Sequence, residues 1–149
     1  MSISALRRRL AAHDRGALSL EAMILFPVLI MVLLLVIAFG RIQSSANAVD
    51  TAARNAARAA SLERDAGAAR TAGTDDARAG LRNQGLSCTA VSVDITTDGF
   101  NVPLGTPATT TATVRCTVRL SDIGLPGLPG SKTLTSSFTS SIDSYRQRD

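Results

Sequence analysis

The most apolar part of the chain lies near its N-terminus. From Ala22 to Phe39, 18 consecutive residues are apolar and uncharged. At about 1.5 Å per residue, a helix over this run is about 27 Å long, close to the ~30 Å thickness of the hydrocarbon core of a bilayer. The residues from Ala17 onwards add the length that is still needed to cross the membrane. We therefore predict a transmembrane helix over residues 17–40.

After the apolar run the chain becomes amphipathic but keeps a helical period. Small and apolar residues recur every three or four positions and predict one narrow packing seam: Ile42, Ala46, Val49, Ala53, Ala56 and Ala60. Asp50 and Arg54 lie on another face, at the i, i+4 spacing that favours an ion pair. We expect one helix from Ala17 to about Arg64, whose second half forms a stalk. An alanine seam allows helices to approach closely, but alanine is also the best helix former, so both explanations of the seam remain open.

A second, shorter helix is predicted before the strands begin. Thr74 is followed by two aspartates, as is typical of a helix N-cap, and Gly85 occupies a position where a helix would end. We predict a helix from Thr74 to Gln84, preceded by a hinge around Gly67 to Gly73. Residues 41–85 would then contain the stalk helix and this second helix.

From Cys88 onwards the pattern alternates with a period of two, which is typical of half-buried strands. Two strands are predicted from their apolar faces: Thr89, Val91, Val93 and Ile95 in the first, and Ala112, Val114, Cys116, Val118 and Leu120 in the second. A third strand is predicted from Thr133 to about Tyr145, with Leu134, Phe138 and Ile142 pointing inward. A meander of three strands with one apolar face is not stable alone, because that face must be buried against another element. The long helix can pack on it. We therefore predict an α+β fold, in which a long N-terminal transmembrane and stalk helix packs on a small three-stranded antiparallel sheet formed by residues 86–149.

The charge distribution indicates an orientation in the membrane. The formal net charge is +4, but most of this excess lies in the first 16 residues, where four arginines face one aspartate. Fewer basic residues follow the apolar run closely, so the positive-inside rule predicts a cytoplasmic N-terminus and an extracytoplasmic C-terminus. Downstream of the leader, 12 basic and 11 acidic residues nearly balance. Nucleic acid is therefore not an expected partner.

The chain has few of the residue types on which catalysis depends. Its one histidine is His13, and its two cysteines are Cys88 and Cys116. A Ser/His/Asp triad and a zinc site both lack their parts, and no glycine-rich phosphate loop is present. We expect no enzymatic activity, no metal, no cofactor and no small-molecule substrate. The cysteines fall outside the predicted membrane segment, where a disulfide is permitted, but Cys88 differs in parity from Val91, so a disulfide and two buried free thiols both remain open.

Glu21 lies inside the N-terminal end of the hydrophobic segment. A charge near the centre of a bilayer costs about 2.5–3.5 kcal/mol, and less near the interface. One interpretation places Glu21 at the level of the headgroups, without a role. The other depends on its spacing, since Glu21 is the fifth residue after Gly16. Cleavage after Gly16 would create an amine at Ala17 about one helical turn from this carboxylate.

These features together resemble a known family. Gly16, four small or apolar residues, Glu21, an apolar run with an early Pro27 and the alanine- and arginine-rich residues 50–60 are similar to the TadE-like pseudopilins of tight-adherence (Tad/Flp) pilus systems. The resemblance covers Arg15 to about Ser61 and implies a pilin-like fold.

The resemblance also implies a function and partners. A prepilin peptidase would remove a leader formed by residues 1–16, cutting between Gly16 and Ala17. Glu21 would pair with the N-terminal amine of a neighbouring subunit, and the partners would be other pilins and pseudopilins in the cytoplasmic membrane and the pilus. Major pilins of these systems carry tyrosine after the glutamate, whereas this chain has Ala22, which favours a minor subunit.

Three other interpretations of the N-terminal region can be made. The triplet of residues 46–48 has the A-x-A form of a secretory cleavage site and would make Val49 the first residue, but the apolar run is longer than the usual signal core of about 7–15 residues. Three arginines at positions 7–9 could indicate twin-arginine export, although basic residues are expected there in any case. The main alternative function is a single-pass anchored protein, never processed, whose extracytoplasmic head binds a partner. Such an anchor needs neither Gly16 nor Glu21.

Overall fold

A computed structural model of the chain describes residues 3–122 and 129–145, with side chains described from Glu21 onwards. The chain divides into two units, residues 1–39 and residues 40–149. The elements are, in chain order, α1 (Ile3–Ser61), α2 (Ala66–Asn83), β1 (Ala90–Ile95), a 3₁₀ turn (Asp98–Phe100), β2 (Ala108–Arg119) and β3 (Ser131–Ile142). The predicted α+β layout, with a long apolar helix and a three-stranded antiparallel sheet, is confirmed.

The first helix ends at Ser61, three residues before the predicted end at Arg64. The N–H groups of the two residues after Ser61 donate to carbonyl groups only three residues back, at 3.3 and 3.2 Å. This tightening of the last turn is common where an α-helix terminates. A short connection then leads into α2, so the two helices form a hairpin.

The prediction for the second helix was wrong at its N-terminus. The helix begins at Ala66, and the N-cap is Asp65 rather than Thr74. The Asp65 carboxylate accepts hydrogen bonds from the N–H groups of Gly67 and Ala68 at 2.7 and 2.9 Å, which satisfies donors that the first turn leaves unpaired. The predicted hinge of residues 67–73 is therefore helical.

The core of the second unit lies where α1, α2 and the inner face of the sheet meet. The buried face of α1 is wider than the predicted seam, because α2 and the sheet cover adjacent sides of the helix. Its buried apolar residues within the second unit are Ala48, Val49, Ala52, Ala53, Ala56, Ala57 and Ala60. Ile42 and Ala46 of the predicted seam are only half-buried. Alanine thus has a packing role on this helix.

The sheet is an antiparallel meander in the order β1-β2-β3. The central strand β2 buries every second residue from Thr110 to Val118, as the alternation predicts, and Val93 of β1 lies opposite Val114. On β3, Ile142 is buried, and Phe138 lies opposite the buried Ala112 on the inner face, so the predicted inward orientation of both residues is confirmed, although Phe138 remains 37% exposed. The strand also ends at Ile142 rather than near Tyr145.

Two serines explain why the inner face of β3 is not apolar throughout. Ser136 and Ser140 alternate with the apolar residues of β3 and point to the same side. The Ser136 hydroxyl donates to the Asp50 carboxylate at 2.8 Å, and the Ser140 hydroxyl donates to the Ser61 hydroxyl at 3.1 Å. Polar groups of α1 therefore meet polar groups of β3, and these hydrogen bonds fix the strand on the helix.

Candidate functional site

The apolar segment of α1 exposes its large apolar side chains. Between Met23 and Phe39 the large apolar side chains are 42% to 76% exposed. A soluble monomer rarely leaves such a large continuous apolar surface in water. The mean hydropathy of an 18-residue window is 3.1, and the helix is long and apolar enough to cross a membrane. The segment therefore has the features of a membrane-spanning helix whose sides face lipid or other helices.

Glu21 lies at the N-terminal end of this exposed segment, immediately before Ala22. Its side chain is exposed, and no side chain among the described residues forms a hydrogen bond or an ion pair with it. The predicted cleavage site at Gly16 and Ala17 falls within the bounds of α1, but it lies outside the residues whose side chains are described. The predicted pairing of Glu21 with the amine of Ala17 in another subunit stays a prediction.

The two cysteines form a disulfide. Cys88 and Cys116 are joined with their Cα atoms 5.5 Å apart, so the alternative of two free thiols was wrong. The sequence left open how Cys88 could reach Cys116, because Cys88 does not share the strand face of Val91. In the structure Cys116 lies opposite Val91, and Cys88 lies two positions before the first residue of β1, outside the regular strand. The bond therefore connects the segment before β1 with the buried middle of β2. Its role is structural, since it crosslinks two parts of the second unit.

One charged cluster ties α1 to the sheet. The Arg54 guanidinium donates to the Asp50 carboxylate at 2.9 Å, in the i, i+4 pair that the sequence predicted. Its Cζ atom also lies 5.3 Å from the centre of the Phe138 ring, within range of a cation–π interaction. Two hydrogen bonds lower the pKa of Asp50 below its ordinary value: the one from Ser136 has the larger effect and the one from Arg54 the smaller. The spacing of Asp50 and Arg54 predicted their pair, but no local pattern indicated Ser136, which is 86 positions away.

Within residues 21–122 and 129–145, no group of three or more histidine, cysteine, aspartate or glutamate residues could hold a metal ion. The features that point to a function are therefore the exposed apolar segment, Glu21 before it and the disulfide-closed unit after it.

Comparison with known protein families gives a match on the N-terminal part of the chain. Residues 16–58 match the family model of TadE-like proteins. The match begins at Gly16 and covers Glu21, the apolar segment and most of the alanine-rich part of α1, as the sequence resemblance predicted. Searches of curated proteins and of solved structures found no significant match.

Proposed function

Because residues 16–58 of the chain are TadE-like, we propose that this protein is a minor pseudopilin, a structural subunit without enzymatic activity that takes part in assembly of a Tad/Flp-type pilus. It would be anchored in the cytoplasmic membrane by a single helix, with its N-terminus in the cytoplasm and the disulfide-closed unit outside. A prepilin peptidase would cleave it after Gly16, and its partners would be other pilins and pseudopilins.

One arrangement supports this proposal most strongly. Within the TadE-like segment, an exposed carboxylate at Glu21 directly precedes an apolar helix that is long enough to span a bilayer. A carboxylate at this position is costly in lipid unless a cation meets it. Cleavage after Gly16 would supply that cation as the amine of Ala17, and in a bundle of such helices each Glu21 could receive the amine of a neighbour. The pair attracts only while both charges are present.

Processing is tested by the mass and the N-terminal sequence of the protein from cells that contain their own prepilin peptidase. Removal of 16 residues from the chain of 149 should leave a mature protein of 133 residues that begins at Ala17. Gly16→Leu should remain full-length. Gly40→Leu is the matched control, because a Cβ at Gly40 would meet nothing within 4 Å, and this variant should be cleaved normally. A mature protein that begins at Val49, or wild-type protein that is never cleaved, would contradict the proposal and favour a secreted protein or an unprocessed anchor.

The same cells test the role of Glu21. Glu21→Ala should insert at least as well as the wild type, since it removes a charge from the span, and it should still be cleaved. It should fail to crosslink with partner pilins or to support pilus assembly, whereas Glu21→Asp, which keeps the charge, should retain part of both. Normal assembly of a correctly processed Glu21→Ala protein would show that the carboxylate has no pairing role.

A further inference from the structure

A polar cavity of about 280 Å³ lies in the second unit. Its wall is built from four parts of the chain: the turns of α1 after the apolar segment, the residues that cap and follow α2, the C-terminal part of β2, and the turn after β2. The polar side chains that line it are Arg41, Ser44, Ser45, Gln84, Ser87 and Asp122.

Several of these side chains have no partner in the part of the chain that the structure describes. Among the described residues, no hydrogen bond or ion pair engages the side chains of Arg41, Ser44 or Ser87. Arg41 and Asp122 also form no ion pair with each other, and within residues 21–122 and 129–145 the Asp122 carboxylate accepts only from the hydroxyl of its neighbour Ser121, at 3.1 Å. The cavity therefore presents a guanidinium and free hydroxyls together with a separate carboxylate.

The position of the cavity along the chain indicates what it would meet. Arg41 is the second residue after Phe39 and Ser45 is the sixth, so in a helix they lie about 3 and 9 Å beyond the end of the apolar segment. The headgroup layer of a bilayer is about 5–7 Å thick on each side of the hydrocarbon. In a membrane that holds residues 22–39, Arg41 therefore lies within the headgroup layer and Ser45 lies just beyond it.

We propose that the cavity binds the headgroup of a phospholipid that carries both a phosphate and a primary ammonium, as phosphatidylethanolamine does. The Arg41 guanidinium and the hydroxyls of Ser44 and Ser87 receive the phosphate. The Asp122 carboxylate receives the ammonium, which the negative end of the α2 dipole also favours. A headgroup with only negative charge would be attracted to Arg41, but it would be repelled by the Asp122 carboxylate and would have no ammonium group to offset that repulsion. The inference rests on the membrane placement in the proposed function, but not on cleavage or pilus assembly.

The test uses the full-length protein in detergent, mixed with equal amounts of phosphatidylethanolamine and phosphatidylglycerol, washed, and analysed for retained lipid by mass spectrometry. The wild type should retain phosphatidylethanolamine preferentially. Arg41→Gln should reduce its retention about fivefold, the effect expected from the loss of one hydrogen bond to the phosphate. Asp122→Asn should abolish the preference for phosphatidylethanolamine over phosphatidylglycerol. Arg115→Gln, which makes the same charge change at an exposed position on β2, is the matched control and should behave as the wild type.

Soluble competitors separate a lipid site from a site for free phosphate. Glycerophosphoethanolamine should displace the retained lipid at concentrations at which inorganic phosphate does not. Displacement by inorganic phosphate alone would overturn the proposal in favour of a simple anion site. Equal losses in Arg41→Gln and Arg115→Gln would also overturn it, because the binding would then reflect overall charge. A protein that proved to be uncleaved would leave these expectations unchanged, so the two proposals fail independently.

Discussion

At the scale of single residues, Asp50 shows how one side chain can serve two elements. It accepts from Arg54 one turn along α1 and from Ser136 on β3, so it links the helix surface to the edge of the sheet. Arg54 also covers the ring of Phe138, which helps to explain why an aromatic residue is tolerated there in a partly exposed position.

The lowered pKa of Asp50 predicts a pH dependence of stability. Because the folded state holds this carboxyl's proton more weakly than the unfolded state, the stabilisation is complete above the ordinary carboxyl pKa of about 4 and is lost as the pH falls through the lowered pKa of Asp50. Asp50→Asn should therefore be less stable than the wild type at pH 7, and the difference in free energy of unfolding should shrink as the pH is lowered below about 4.

Denaturant unfolding of both proteins at several pH values measures this difference. Asp94→Asn, which changes an exposed aspartate on β1, is the control and should match the wild type at neutral pH. A difference between wild type and Asp50→Asn that persists unchanged in acid would mean that the carboxylate charge is not the source of the stabilisation.

At the scale of elements, small residues determine how closely α1 and α2 pack. Gly73 lies against α1, where an added Cβ would be 3.0 Å from the carbonyl oxygen of Ala56 and 2.9 Å from the end of the Ile95 side chain. Gly80, two turns further along α2, faces Ala52 with ordinary van der Waals space, 3.8 Å from its Cβ. The two glycines have the same helical environment but different room for a side chain.

Alanine substitutions at these two positions should therefore have opposite effects. Gly80→Ala should raise the free energy of unfolding by up to about 1 kcal/mol, because alanine favours the helix and its methyl group fits. Gly73→Ala gains the same helix propensity, but the close backbone contact forces the helices apart at a cost of about 1–3 kcal/mol, so the net effect should be destabilising. Thermal unfolding of the two variants beside the wild type shows whether each variant is more or less stable. A stabilised Gly73→Ala protein would show that the hairpin can separate at little cost.

At the scale of the whole molecule, the two units depend on different environments. The first exposes apolar side chains that are suited to lipid, and the second has a core made largely of alanines, which bury little area each. A small core of this kind gains most from a covalent crosslink. The Cys88–Cys116 bond, with a sequence separation of 28, supplies it for the second unit.

Breaking this bond should cost roughly 3–4 kcal/mol, by the chain-entropy estimate for a loop of this size. Cys88→Ala breaks the bond but leaves the sulfur of Cys116 in the core, and Cys88→Ala/Cys116→Ala removes that sulfur as well. The double variant should therefore be the less stable of the two, because Cys116 is fully buried. Unfolding of the wild type with and without reductant gives the reference. An unfolding midpoint that reductant does not change would contradict the stabilising role, and quantitative thiol labelling of denatured, unreduced protein would refute the bond itself.

The sequence alone determined those features that arise from local periodicity and composition. The 18 apolar residues from Ala22, the helical spacing that follows them and the alternation on β2 each repeat within a few positions, so the membrane segment, the α+β class and the inner face of the central strand could be predicted. The TadE-like segment could be recognised for the same reason, since Gly16, Glu21 and the apolar run are neighbours in sequence.

Only the tertiary structure decided the features that join distant parts of the chain. The sequence placed Gly73 in a hinge, because glycine locally favours a flexible connection over a helix. In the structure Gly73 packs tightly against Ala56, a contact between two helices that no local pattern indicates. The cavity near Arg41 likewise combines four segments. The physical reason is the same in each case: periodicity shows which side of an element is buried, but not which side chain of another element it meets there.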